Sequence, residues 1–209
     1  MTQCETAIAS CLNSALSCRV PSSPHILVVA ATTHELALSD GWHTLLCGVG
    51  PVEAAAATAA ALATDRPLGV LHVGIAGARR KAKMPAGTIV IGNESIYCDL
   101  AKRNPFSPRL VTPNARLVAA LAGAVPGALV RTIGTSAQVG GTKECDVEAM
   151  EGFAVLRAAA LADVPAVEVR VISNEIEEAD RSRWQFDLAF ETIRSITPQL
   201  VAEFLRCVN

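Results

Sequence analysis

The chain has 209 residues, 51% hydrophobic and only 4% aromatic, with 18 Lys and Arg against 20 Asp and Glu. That length supports one full-sized core in a single domain, and a core of Ala, Val, Leu and Ile favours a closely packed, largely parallel α/β sheet over a β-sandwich. A net charge of −2 spread along the chain, without a basic stripe or regularly spaced aromatics, excludes nucleic acid as a partner, and no apolar run reaches the roughly 18 residues of a membrane-spanning helix.

Residues 1–22 surround a modest apolar segment, Ala7 to Leu16, that is preceded by Glu5 and by no Lys or Arg. They read as a loosely ordered extension before a domain at 23–209, not as a signal peptide. His25 to Ala31 (HILVVAA) is the first strand, and Thr32-Thr33-His34-Glu35 leaves its carboxyl end. Trp42 to Cys47 is a second strand. Pro51 then opens an Ala-rich helix to Ala63, at the position where a missing N–H costs nothing. Leu68 to Val73 is a third strand, followed by a tight turn Gly74-Ile-Ala-Gly77. Gly87 to Gly92 and Glu94 to Cys98 read as two further strands, Asn114 to Ala124 as a helix and Ala128 to Ile133 as a strand. A glycine-rich segment, Gly134 to Thr142, leads onward.

The helix expected at Ala149 to Leu161 is too long and too rich in helix formers for a strand. After a break at Asp163-Val-Pro165, Val167 to Ile172 sets valines at alternate positions against Glu168 and Arg170, the pattern of a half-buried strand. Asn174 follows its end. Asp187 to Cys207 closes the chain as an amphipathic helix with Phe190, Ile193, Ile196, Leu200 and Phe204 on one face. The seven cysteines, at 4, 11, 18, 47, 98, 145 and 207, are odd in number and form no C-x-x-C pair. That argues against a disulfide framework or a cysteine zinc site and for reduced thiols in the cytoplasm.

Strands of one parallel sheet present their carboxyl ends to a common crevice. Here those ends carry Glu35, Gly74 to Gly77 and Asn174, and Glu151 faces the same side from the first turn of its helix. Taken singly, each has an ordinary explanation. Glu35 is a solvated loop residue, G-x-x-G a turn, Met150 a core filler and Asn174 a strand terminator. Glu151 is a helix charge that stabilises the dipole by about 0.3–1 kcal/mol. Their joint occurrence in this order is what carries a functional reading.

ILVVAATTHEL, GVGPVEAAAAT, VGIAGA, VEAMEG and VEVRVISN resemble, in order and spacing over residues 25 to 207, the purine nucleoside phosphorylase and nucleosidase superfamily. VEAMEG, the ISN ending and ADRSRW are most similar to futalosine hydrolases, nucleosidases of a menaquinone pathway. The resemblance implies a mixed, largely parallel α/β sheet flanked by helices, with a nucleoside in the crevice. It implies no metal or organic cofactor, a small-molecule nucleoside as partner, and a homodimer or larger homo-oligomer. By position, Glu35 matches the carboxylate that activates water. Met150 and Glu151 match the pair that packs on and hydrogen-bonds the ribose, Gly77 a glycine whose backbone meets the ligand, and Val139 a residue whose backbone contacts the base. Arg181 or Arg183 is a natural partner for an acidic substrate tail such as the benzoate of futalosine. The run Arg79-Arg80-Lys81-Lys83 reads as a solvated loop.

Two departures from the superfamily pattern bear on chemistry. Phosphorylases carry Arg two residues before the first glycine of G-x-x-G and Ser or Thr just after it, to hold phosphate, whereas this chain has His72 and Ile75. Isoleucine cannot hydrogen-bond phosphate and a neutral histidine replaces arginine poorly, so hydrolysis is expected and His72 reads as a packed strand residue. Adenine-specific nucleosidases carry Asp where this chain has Asn174. An amide donates without titrating and suits a 6-oxo purine, so hypoxanthine is the expected leaving base. A 5′-methylthioadenosine/S-adenosylhomocysteine nucleosidase, and a non-catalytic nucleoside-binding protein on the same fold, remain the alternatives.

Overall fold

The computed structural model describes residues 24–102 and 106–209, and the extension expected at 1–22 lies outside the described residues. Eight strands and four α-helices alternate along them: β1 Ile26–Ala30, β2 His43–Leu46, α1 Pro51–Thr64, β3 Gly69–Ala78, β4 Ile89–Tyr97, β5 Leu110–Val111, α2 Ala115–Ala124, β6 Leu129–Thr135, β7 Val147–Ala149, α3 Gly152–Leu161, β8 Ala166–Glu175 and α4 Phe186–Val208. Five of the eight strand pairings are parallel and three antiparallel.

The sheet runs β2-β1-β3-β7-β6-β4-β5, and β8 pairs with both β3 and β4. The pairings β3–β7–β6–β4–β8–β3 therefore close a ring, from which β1 and β2 extend on one side and β5 on the other. Closure requires curvature, and the ladders supply it at two irregularities, between Ala76 and Gly77 and between Gly92 and Glu94.

The side chains of β1 alternate between two cores. Ile26, Val28 and Ala30 join a cluster with α2 and α4, through Leu117, Leu121, Ile193, Leu200 and Phe204. Leu27 and Val29 face α1 and α3, through Ala54, Leu62, Val155 and Leu156. The helices thus cover both faces, as expected where central strands are apolar on both sides.

Four expectations change. The two strands expected at Gly87–Gly92 and Glu94–Cys98 are one, β4, because the irregularity at Gly92 bends the strand without ending it. The G-x-x-G segment is not a turn: β3 runs through Gly74 and Gly77, and these positions pair with Arg170 and Asn174 of β8. Asn174 accordingly lies inside a strand. The helix expected from Ala149 begins only at Gly152, since Val147–Ala149 pairs with β3 and β6 as a short strand. Finally, β8 is not half-buried. Closure of the ring and the packing of α3 enclose its polar face, so Glu168 and Arg170 are 0% and 1% exposed.

Candidate active site

The ends of β1, β3 and β8 and the β7–α3 junction surround one cleft of about 360 Å³. Glu35, Gly77, Val139, Met150, Glu151, Asn174 and Arg181 all line it, so the structure brings together every site residue expected from sequence except Arg183. Phe190 also lines it, alongside Phe186 and Trp184. That corrects its expected place on the core face of α4, where Ala189 and Ile193 are the buried residues.

Glu35 is held in the turn that leaves β1. One carboxylate oxygen accepts from the Thr32 N–H (2.9 Å) and the Thr32 hydroxyl (3.0 Å), and the other from the Ile75 N–H (3.1 Å). The residue is 4% exposed. Burial pushes its pKa above the ordinary carboxylate value of 4.5. The charge of Arg170 and the N–H of Ile75 work against that rise, and Glu151 adds to it.

Glu151 occupies the N-cap position of α3 but makes no capping bond there. Its Oε1 instead accepts from the Gly50 N–H (3.1 Å), the N-cap of α1. The helix dipole it meets is therefore that of a helix 101 residues earlier. Its Oε2 pairs with the Arg170 guanidinium at 3.3 Å.

Arg170 is a hub that sequence reasoning missed. Its Nε donates to Glu168 at 2.8 Å, while Nη1 reaches the Ile75 carbonyl and Nη2 contacts His72 Nε2 as well as Glu151. Burial works against its charge, but Glu168, Glu151 and Glu35 outweigh burial and hold it protonated. Burial raises the Glu168 pKa, and Arg170 opposes that rise. His72 is fully buried, with Nδ1 at 3.0 Å from the Val29 carbonyl. Burial first, and then Arg170, depress its pKa well below the usual range, so it is the neutral strand histidine expected. Glycine is needed where this cluster meets β3, because a Cβ on Gly74 would lie 2.2 Å from an Arg170 nitrogen and 2.8 Å from the Glu35 carboxylate. The available signal was His72 within an otherwise apolar strand: in register, it stands opposite Glu168.

On the base side, the ladder sets Gly77 against Asn174. Asn174 Oδ1 accepts from the Ser173 hydroxyl (2.8 Å), and its Nδ2 donates to the Glu175 carbonyl (3.0 Å). One of its two amide N–H groups remains for a ligand. The loop carrying Val139 is tied down by two carboxylates also missed from sequence. Glu148 accepts from the Gly140 and Thr142 N–H groups and the Thr142 hydroxyl, and Asp99 from the Ser136 hydroxyl and the Ala137 N–H.

Arg181 lies over the Trp184 ring, 5.4 Å from its centroid, at the rim of the cleft. Arg183 does not line the cleft. Its guanidinium is drawn to Glu178 (3.4 Å) and Asp180 (3.7 Å), and it borders an adjoining groove of about 450 Å³. The basic run at 79–83 is exposed at Arg80, Lys81 and Lys83, as expected of a solvated loop, and it carries surface ion pairs: Arg79 meets Glu177, Arg80 meets Glu175 and Lys81 meets Asp146.

Residues 32–206 match the model of the phosphorylase superfamily. A futalosine hydrolase from Streptomyces coelicolor is 35% identical over an alignment of 188 positions that covers 78% of this chain and 80% of that protein. A 5′-methylthioadenosine/S-adenosylhomocysteine nucleosidase from Colwellia psychrerythraea, solved with adenine, superposes with a TM-score of 0.74 at 22% identity, covering 88% of this chain and 96% of that one. The corresponding nucleosidase of S. pneumoniae, solved with a transition-state inhibitor, gives 0.73 at 18% identity, covering 88% and 100%. These two structures share the fold.

Proposed function

The chain belongs to the phosphorylase superfamily, and from that premise we propose that it hydrolyses the N-glycosidic bond of futalosine, releasing hypoxanthine and dehypoxanthine futalosine. The observation that carries this reading is the meeting of Glu35, Glu151 and Asn174 on one cleft that Ile75 also lines, while His72 is fully buried behind it. The 35% relative supports the choice of substrate.

Cleavage builds positive charge on the ribose and negative charge on the departing purine. Glu35 takes a proton from the attacking water as the bond breaks. Glu151 accepts from the ribose hydroxyls while Met150 packs on the sugar. Arg170 pairs with Glu151, and its charge opposes the rise in the Glu35 pKa. At the other end of the nucleoside, the Asn174 amide donates to the 6-oxo purine, and the backbones of Gly77 and Val139 border the base. Arg181, which reaches the rim, meets the benzoate tail. Arg183 is engaged by Glu178 and Asp180.

His72 is buried and neutral, and Ile75 offers only its backbone, which is bonded to Glu35. Water is therefore the acceptor of the glycosyl group, not phosphate. We place the enzyme in menaquinone biosynthesis, in the cytoplasm and as a homodimer or larger. Among the described residues no helix is long and apolar enough to cross a membrane.

The test is a substrate panel. Futalosine, methylthioadenosine and inosine are incubated with the protein and the released base is quantified. Futalosine should be cleaved with a specificity constant at least about ten-fold above the others, the scale of one buried hydrogen bond left unmade. Preferential adenine release from methylthioadenosine would replace this reading with the 6-amino one.

A further inference from the structure

A second constellation lies at the opposite end of β1 from the cleft. His25 precedes β1, His43 opens β2, and Asp65 is the C-cap of α1. His25 and Ala31 are six residues apart, so this cluster stands about 20 Å from the cleft, at roughly 3.3 Å of rise per residue. His25 Nε2 lies 3.0 Å and His43 Nδ1 3.4 Å from the same Asp65 oxygen. The two imidazoles stack with centroids 3.7 Å apart, and all three donor atoms fall within 4.8 Å of one another.

We propose that His25, His43 and Asp65 form a binding site for a divalent transition metal of the zinc type, remote from catalysis. Three features converge on it. In a tetrahedral site with metal–ligand bonds of about 2.0–2.1 Å, neighbouring ligand atoms stand about 3.3 Å apart, and the two separations from Asp65 bracket that spacing. Two imidazoles and one carboxylate form a donor set that selects zinc-like ions over magnesium or calcium. The local field also favours a cation, since Asp65 adds negative charge to the C-terminus of α1, whose last turn carries no basic residue. His43 is half exposed, so a water can complete the coordination.

The consequence is structural. β2 is a four-residue strand at the edge of the sheet, with three of its four residues exposed. A metal held by His25, His43 and Asp65 ties that edge to β1 and to the end of α1. The rival account is that the two histidines simply hydrogen-bond to Asp65, with no affinity for metal.

Zinc titration separates these accounts. Full-length protein, kept reduced and stripped with chelator, is titrated with zinc by calorimetry beside His43→Ala and Asp65→Asn. Both substitutions fall at solvent-accessible side chains, and melting curves without metal establish that the variants are folded. The native protein should bind one more equivalent of zinc than either variant, and its melting temperature should rise with zinc further than theirs. Comparing stoichiometries removes any contribution from cysteine thiols, which all three proteins share. Cobalt in place of zinc should give the visible absorption of a four-coordinate site in the native protein alone, and magnesium should have no effect. Equal zinc stoichiometry in the three proteins, or no zinc bound by any of them, overturns the site.

Discussion

Glu35, the proposed base, stands in surroundings that raise its pKa. Burial raises its pKa above 4.5, and the Arg170 charge and the Ile75 N–H only partly reverse the effect. A general base acts only when ionised, so on the proposed role activity should be present above the raised pKa and lost as pH falls through it. The acid limb of kcat/KM should therefore lie above pH 4.5 rather than at the position of an exposed carboxylate, and a pH–rate profile measures it directly. Glu35→Gln should lower kcat by about 10²-fold or more while a substrate analogue still binds; near-native turnover in that variant would remove Glu35 from the chemistry. Asn174 offers a separate test. In Asn174→Asp an ionised carboxylate would face the purine O6, setting two acceptors against each other in a desolvated site. The ratio of specificity constants for futalosine and its 6-amino counterpart should fall by about ten-fold or more. An unchanged ratio would mean that residue 174 does not read the base.

Among the elements, β8 separates what could be read in the chain from what could not. Its location, its direction after a short break and the placing of Asn174 toward a crevice were legible in VEVRVISN. The fate of Glu168 and Arg170 was not. Alternation in a single strand is the same whether its polar face meets water or another charged face, and here that face is enclosed by β3, β4 and α3. Pairings between distant segments decide this, as Gly74 opposite Arg170 and His72 opposite Glu168 illustrate. Likewise, Glu151 was placed correctly near a helix N-terminus, yet the helix it meets is α1, through Gly50. The buried ion pairs make a prediction at this scale. Arg170→Met removes the one cation between Glu168 and Glu151 and should cost about 3–5 kcal/mol in denaturant unfolding. Replacing Glu168 by Met as well should recover part of that loss, because an unpaired buried charge is then removed. If the double variant is no more stable than Arg170→Met, the penalty does not arise from the stranded carboxylate.

For the whole molecule, closure of β3, β7, β6, β4 and β8 into a ring explains why residues as far apart as Glu35 and Arg181 share one cleft. Ring closure brings the end of β8 and the β7–α3 junction against the end of β3, and β1 adds Glu35 from the neighbouring position in the sheet. The superfamily pattern made the cleft foreseeable from local motifs. The ring itself depends on β8 pairing with both β3 and β4, which no single segment announces. On the proposed reading, a buried neutral His72 and an Ile75 without a polar side chain select hydrolysis over phosphorolysis. Hypoxanthine release from futalosine, followed over increasing inorganic phosphate with the sugar product identified by mass, tests that decision most directly. Hydrolysis gives a rate independent of phosphate and a free sugar hydroxyl at the cleaved carbon; a rate that rises with phosphate and yields a sugar 1-phosphate would contradict it.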